Sequence, residues 1–194
     1  MSSPTDLLNI RIITVSGRIG CGSTTLAKGL VEKLHWKRIE GGEVFWEALR
    51  QKMGLSNKDT NLRADFEDQA FDEHLKELLQ NETRMILETK LAGFNAQGIE
   101  GVFRILLVCN DDKGNDQTQV RIDRLVNREH ISVKAAKEEV LRREEHDLKK
   151  WRVMYAQGDP SWIYFDKKYY DLVINTFTNN QEATLKIVLE AIGG

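Results

Sequence analysis

Short apolar runs alternate along the chain with stretches whose apolar residues recur every three or four positions. Ile10-Arg11-Ile12-Ile13-Thr14-Val15 is rich in β-branched residues and predicts a strand. Beyond the glycines Gly17, Gly20 and Gly22, the residues Leu26, Leu30, Val31 and Leu34 fall on one helical face. A weaker strand is expected from Trp36 to Ile39, closed by Gly41-Gly42. Val44, Phe45, Ala48 and Leu49 then suggest a helix that stops near Gly54. Phe71, Leu75, Leu78 and Leu79 form an apolar stripe on a helix starting near Asp65. Met85 to Glu88 is a short buried-strand candidate, and Phe103 to Val108 a stronger one. The polar stretch from Asn110 to Thr118, with Gly114 at its centre, predicts a loop. Arg121 to Arg128 and Val133 to Ala156 predict helices separated at His130-Ile131-Ser132, with Ser132 as N-cap of the second. Asp171 to Asn175 is a last strand, and Leu185, Val188, Leu189 and Ile192 mark a closing helix. Strands that alternate with helices imply a parallel sheet covered on both faces, here of about five strands. The fold class expected is α/β.

Composition narrows the classes of function. The 194 residues suit one ordinary domain that needs no disulfide or metal staple. With prolines only at positions 4 and 160, nothing marks a linker, so residues 1–194 are expected to form a single domain. A net charge of −2 argues against a general nucleic-acid or acidic-membrane binder. A hydrophobic content of 41% is too high for a disordered chain of such modest charge. Two cysteines, Cys21 and Cys109, do not make a secreted scaffold, and four histidines show no zinc spacing. The segment Met1 to Asp6 reads as neither signal nor transit sequence, and no apolar run is long enough to span a bilayer. The expectation is a soluble, cytoplasmic protein.

The richest chemistry lies in Gly17-Arg18-Ile19-Gly20-Cys21-Gly22-Ser23-Thr24-Thr25, between the first strand and the first helix. Glycines let successive backbone N–H groups turn toward one anion, because no Cβ blocks the turn or the ligand. The positive end of the following helix adds to that field. Against the pattern G-x-x-x-x-G-K-[ST], Gly17, Gly22 and Thr24 match, and Ser23 stands where lysine is expected. An ordinary glycine-rich turn is the alternative. If phosphoryl transfer occurs here, other cations must neutralise the phosphates.

From Ile13 through Lys28 the sequence resembles the start of cytidylate kinases, particularly the small archaeal-type branch, which commonly carries a hydroxyl residue in place of the lysine. The resemblance continues at Gly42-Glu43-Val44-Phe45, similar to the start of that family's monophosphate-binding helices. It reappears in Leu87-Glu88-Thr89-Lys90-Leu91-Ala92-Gly93, similar to an E-G-R-L-A-G segment. Arg121, Arg124 and Arg128 look like the arginines that lead into a short lid. Arg143 to Trp151 is similar to an R-x-x-x-D-x-x-R-[YF] element, and Asp171 to Thr176 closes the pattern. The resemblance spans most of Ile10 to Thr176. It implies a P-loop nucleoside-kinase-like three-layer fold, with a monophosphate-binding insertion at about 42–84 and a lid at about 124–150.

By that resemblance the activity is transfer of the γ-phosphoryl group of ATP, with Mg2+, to a nucleoside monophosphate, most readily CMP or dCMP. Two readings stand beside it: a non-catalytic nucleotide binder on the same fold, and a P-loop kinase for another small acceptor. Gly17, Gly20, Cys21, Gly22, Ser23, Thr24 and Thr25 would hold the donor phosphates, and Thr24 and Glu88 would face the metal ion. Glu88 has a second reading as a strand-end carboxylate bonded to backbone. Arg124, Arg128 and Arg143 would close on the transferring group. Arg143, Asp147 and Lys150 fall at i, i+4 and i+7, so Asp147 is expected to orient Arg143 while Lys150 meets a phosphate. Gly42, Phe45, Arg50, Asp72, Lys90 and Asp147 are the expected acceptor-side residues. Trp46, Lys90 and Lys150 occupy positions where the family usually carries arginine, and Arg50 lies one turn beyond Trp46. The partners expected are small-molecule nucleotides, not nucleic acid or membrane, with the chain a monomer or weak homo-oligomer.

Overall fold

A computed structural model describes residues 5–41 and 65–193, leaving out the side chains of residues 65–70 and 72. Its centre is a parallel sheet in the order β2-β3-β1-β4-β5. The strands are β1 (Ile12–Gly17), β2 (Lys37–Glu40), β3 (Met85–Glu88), β4 (Val102–Val108) and β5 (Leu172–Asn175). Every residue of β1 is buried, as a strand covered on both faces must be. Its neighbours lie in parallel register, Ile12 opposite Met85 on β3 and opposite Val102 on β4.

Successive side chains of a strand point to opposite faces, and the core divides accordingly. Ile13, Val15, Ile86, Ile105 and Leu107 pack on α1 (Ser23–Leu34) through Leu26 and Leu30, on the C-terminal helix through Val188, and on Ile192 just past its end. Ile12, Met85 and Leu87 face α2 (Asp65–Asn81), through Leu75 and Leu79, and the one-turn α3 (Ala92–Asn95). Ile122 and Leu125 of α4 (Thr118–Glu129) pack on Ala136 and Val140 in a satellite core. Ala136 belongs to α5 (Val133–Lys137), which runs through a π-helical segment (Glu138–Arg143) into α6 (Glu144–Ala156). The chain ends in α7 (Gln181–Ala191).

Several boundaries differ from those the sequence predicts. β1 starts at Ile12 rather than Ile10, because Ile10 instead bridges back, antiparallel, to Leu7. The Arg11 guanidinium donates to the carbonyls of Leu79 and Glu82 at the end of α2 and to that of Glu100 just before β4. α4 starts at Thr118, three residues before Arg121, because the polar loop closes early. There the Asp111 carboxylate accepts from the backbone N–H of Lys113 and of Asn115. The break at His130 is as expected: its φ of 53° stops α4, and the Ser132 hydroxyl caps α5 by accepting from Ala135 N. No described helix is long and apolar enough to cross a membrane.

Candidate functional site

β1 runs into a turn that bends back on itself before α1. Cys21 N donates to Arg18 O, and the two glycines that follow the bend take positive φ, 83° at Gly20 and 95° at Gly22. Gly22 precedes α1 and no side chain caps the helix, so the first amides of α1 are free of side-chain acceptors. An anion placed there meets backbone N–H groups and the positive end of the helix. Beside them opens a cavity of about 570 Å³, lined by Gly20, Cys21, Gly22 and Thr25 on one side and by Arg124 and Arg128 of α4 on another. Thr176 and Asn179, just past β5, complete the wall. The hollow beneath the glycines is therefore open, with two guanidinium groups at its edge.

The other functional candidates fall into three groups. Thr24 Oγ1 donates to Glu88 Oε1 at 2.6 Å, and Arg128 Nη1 lies 3.3 Å from the same hydroxyl. The second oxygen of Glu88 accepts from Arg38 Nε at 2.9 Å and also from Arg38 Nη2, which bonds Glu40 as well. Glu88 is thus bound by side chains, not by the backbone bond its second reading allowed. Thr24 and Glu88 are hard oxygen donors of the kind Mg2+ takes when nucleotide phosphates and water complete its shell. Among the described residues no three His, Cys, Asp or Glu gather to hold a metal by themselves.

Arg124 forms the second group. Its Nη1 donates to Thr176 Oγ1 at 2.9 Å and its Nη2 to Thr176 O at 2.7 Å, so it is anchored at the exit of β5 rather than arriving from the α5–α6 segment. The third group is on the acceptor side. Lys90 Nζ pairs with Asp147 Oδ2 at 2.6 Å and lies 5.8 Å from the centre of the Trp151 ring. Arg143 pairs instead with Glu139, one turn earlier, at 2.7 Å. This corrects the expectation that Asp147 orients Arg143: Lys90 takes the carboxylate, and the acid four residues before Arg143 is nearer its guanidinium. Lys150 is half-buried on α6. Gly42, Phe45, Arg50 and Trp46 lie outside the described residues, as does the side chain of Asp72.

Cys21 lies at the cavity wall, where burial pushes its thiol up to about 12. It therefore stays protonated and serves as a small apolar filler rather than a nucleophile.

Nothing in the sequence singles out Arg38, and Arg121, grouped there with the lid-leading arginines, has a different place in the structure. Arg121 is fully buried, bonded to Asp116, Glu144 and the Ile19 carbonyl. Arg18, Asp116 and Glu144 join it in one network. The available signal was Arg18 itself, a charge inside a glycine-rich turn. Its partners are far off in the chain, and no local pattern points to them.

Comparison with known proteins agrees with this geometry. The chain is 30% identical over 184 residues to a cytidylate kinase of Natronomonas pharaonis, covering 93% of this chain and 88% of the relative. It is 32% identical over 184 residues to a cytidylate kinase of Methanocella arvoryzae, covering 93% and 96%. A shikimate kinase from Acinetobacter baumannii, solved with shikimate, superposes with a TM-score of 0.57 at 14% identity, over 94% of this chain and 93% of that one. At so low an identity this last likeness shows the P-loop kinase fold and nothing finer. No family model matches the chain.

Proposed function

The chain belongs to the cytidylate kinase family, and we propose that it moves the γ-phosphoryl group of ATP onto a nucleoside monophosphate, CMP or dCMP first among acceptors. The carrying observation is the open cavity at the uncapped start of α1, with Arg124 and Arg128 at its edge. An oxygen of the acceptor phosphate attacks the γ-phosphorus, the bond to the β-phosphate oxygen breaks, and ADP leaves with that oxygen. The transition state spreads charge over oxygens, so the protein's task is alignment and neutralisation.

In this reading the amides from Gly20 to Thr24 hold the donor phosphates. Arg128 supplies the cation that Ser23 does not, since its guanidinium already reaches Thr24. Arg124, fixed on Thr176, presents a planar cation to the cavity where the rest of the nucleotide fits. Bound Mg2+ would neutralise phosphate oxygens beside Thr24 and Glu88. Arg38 holds one oxygen of Glu88 so that the other faces Thr24. Lys90 and Arg143 would exchange their present carboxylates for phosphate oxygens when substrates arrive.

A second reading, a nucleotide binder without transfer, draws on one observation: Lys90 and Arg143 both sit on protein carboxylates. Turnover with ATP, Mg2+ and a panel of monophosphates separates the two. Formation of diphosphate from CMP or dCMP is the expected result. ATP binding by calorimetry with no diphosphate from any monophosphate would establish the second reading instead.

A further inference from the structure

Arg18, Glu144, Arg121 and Asp116 form a closed ring of alternating charge. Arg18 grips Glu144 with two nitrogens, at 2.7 and 3.2 Å, and reaches Asp116 at 3.0 Å. Arg121 closes the ring, 2.9 Å from Asp116 and 3.2 Å from Glu144. The side chain of Arg121 is 0% exposed and that of Glu144 3%. The Arg18 guanidinium also lies 4.9 Å from the centre of the Phe165 ring. Desolvating four charges offsets most of their attraction, so such a ring adds little net stability over apolar packing. What paired planar guanidinium and carboxylate groups do supply is fixed geometry.

The segments so fixed are the ones that matter to phosphoryl transfer. Arg18 belongs to the phosphate loop, and Arg121 also donates to the carbonyl of Ile19 in that loop at 2.8 Å. Gly20 lies so close to α4 that an added Cβ would stand 2.4 Å from the Arg121 carbonyl oxygen. Glu144 opens α6 directly after the π-helical segment, next in sequence to Arg143. Val140 and Glu144, four residues apart, are buried, while Arg143 is exposed. The ring therefore pins the backbone beside Arg143 to the loop that receives phosphate.

We propose that Glu144 is a positioning residue: through Arg18 and Arg121 it holds the phosphate loop in its anion-binding shape and ties the Arg143 backbone to that loop. The claim about Arg143 rests on the kinase reading above; the claim about the loop does not. Glu144→Gln keeps size and removes charge, and Glu138→Gln, on an exposed pair with Arg142, is the control. For Glu144→Gln the expected result is a roughly tenfold weaker ATP dissociation constant by calorimetry and roughly tenfold faster amide exchange across residues 18–24. In the kinase assay kcat falls further than KM for ATP rises. Arg18→Met gives the same loop effects, and the double variant adds nothing to either single one.

If Glu144→Gln does not fold, Arg18→Met alone carries these readouts, since Arg18 is partly exposed. A lower melting temperature with unchanged ATP affinity and unchanged exchange at 18–24 would overturn the proposal and leave the ring a structural ion cluster. Weaker ATP binding and faster exchange at 18–24 in these variants, in a protein that never transfers phosphate, would support the loop claim while removing the kinase reading and the Arg143 role together.

Discussion

A methyl group added at Gly20 would stand 2.4 Å from the Arg121 carbonyl oxygen, whereas one added at Gly22 meets nothing within 4 Å. Both glycines hold positive φ, so Gly22→Ala is expected to cost about 1–2 kcal/mol from left-handed backbone alone. Gly20→Ala adds a clash with backbone and should cost roughly 3–4 kcal/mol, together with ATP binding. Urea denaturation of the two variants measures the difference; equal losses would contradict the close approach of the loop to α4. For Arg143, turnover is the sensitive quantity. Arg143→Ala is expected to lower kcat roughly a hundredfold with little change in ATP affinity, and an unchanged kcat would remove Arg143 from the chemistry. The glycine-rich turn before α1 is legible residue by residue because glycine geometry and a helix start are local properties. Arg18 and Glu144 are not, being 126 positions apart, and charged residues in helical stretches ordinarily read as solvated surface. Arg121, wholly inside the protein, shows how little composition says about where a guanidinium ends up.

Elements follow the same division between local and distant causes. Four of the five strand positions could be read to within a residue, three of them from β-branched or continuous apolar runs, and Ser132 marks the start of α5. Ser132→Ala is expected to lower stability by about 1 kcal/mol, because the Ala135 amide loses its acceptor. Thermal or urea unfolding tests this, and no loss would mean water caps the helix as well. The π-helical segment left no trace in the sequence, since its apolar spacing fits an ordinary helix. At the edge of the sheet, Arg104 on β4 bonds Asp171 just before β5 and holds its carboxyl below the usual 3.8. A carboxyl depressed in the folded state contributes stability that is fully present above its unfolded value and is lost as pH falls through its folded one. Wild type should thus lose stability below about pH 4 more steeply than Asp171→Asn, as denaturant midpoints measured from pH 6 to pH 2 would show. Identical slopes would contradict the pairing.

At the scale of the whole molecule, the parallel order β2-β3-β1-β4-β5 brings the ends of β1 and β3 side by side. The glycine-rich loop leaves one strand and Glu88 ends the other, which is why Thr24 and Glu88 meet although 64 residues separate them. Alternation of strand and helix made the α/β class legible, but strand order is a property of the folded chain, and so is the pairing of Lys90 with Asp147. The central claim is that this arrangement transfers phosphate without a lysine at position 23. Phosphorus NMR of the protein with ATP, Mg2+ and CMP tests it most directly, because each phosphate reports its own bonding. New resonances of ADP and CDP, rising together and absent without CMP, are the predicted result. ATP that stays intact, or that yields only inorganic phosphate whether or not CMP is present, would contradict it.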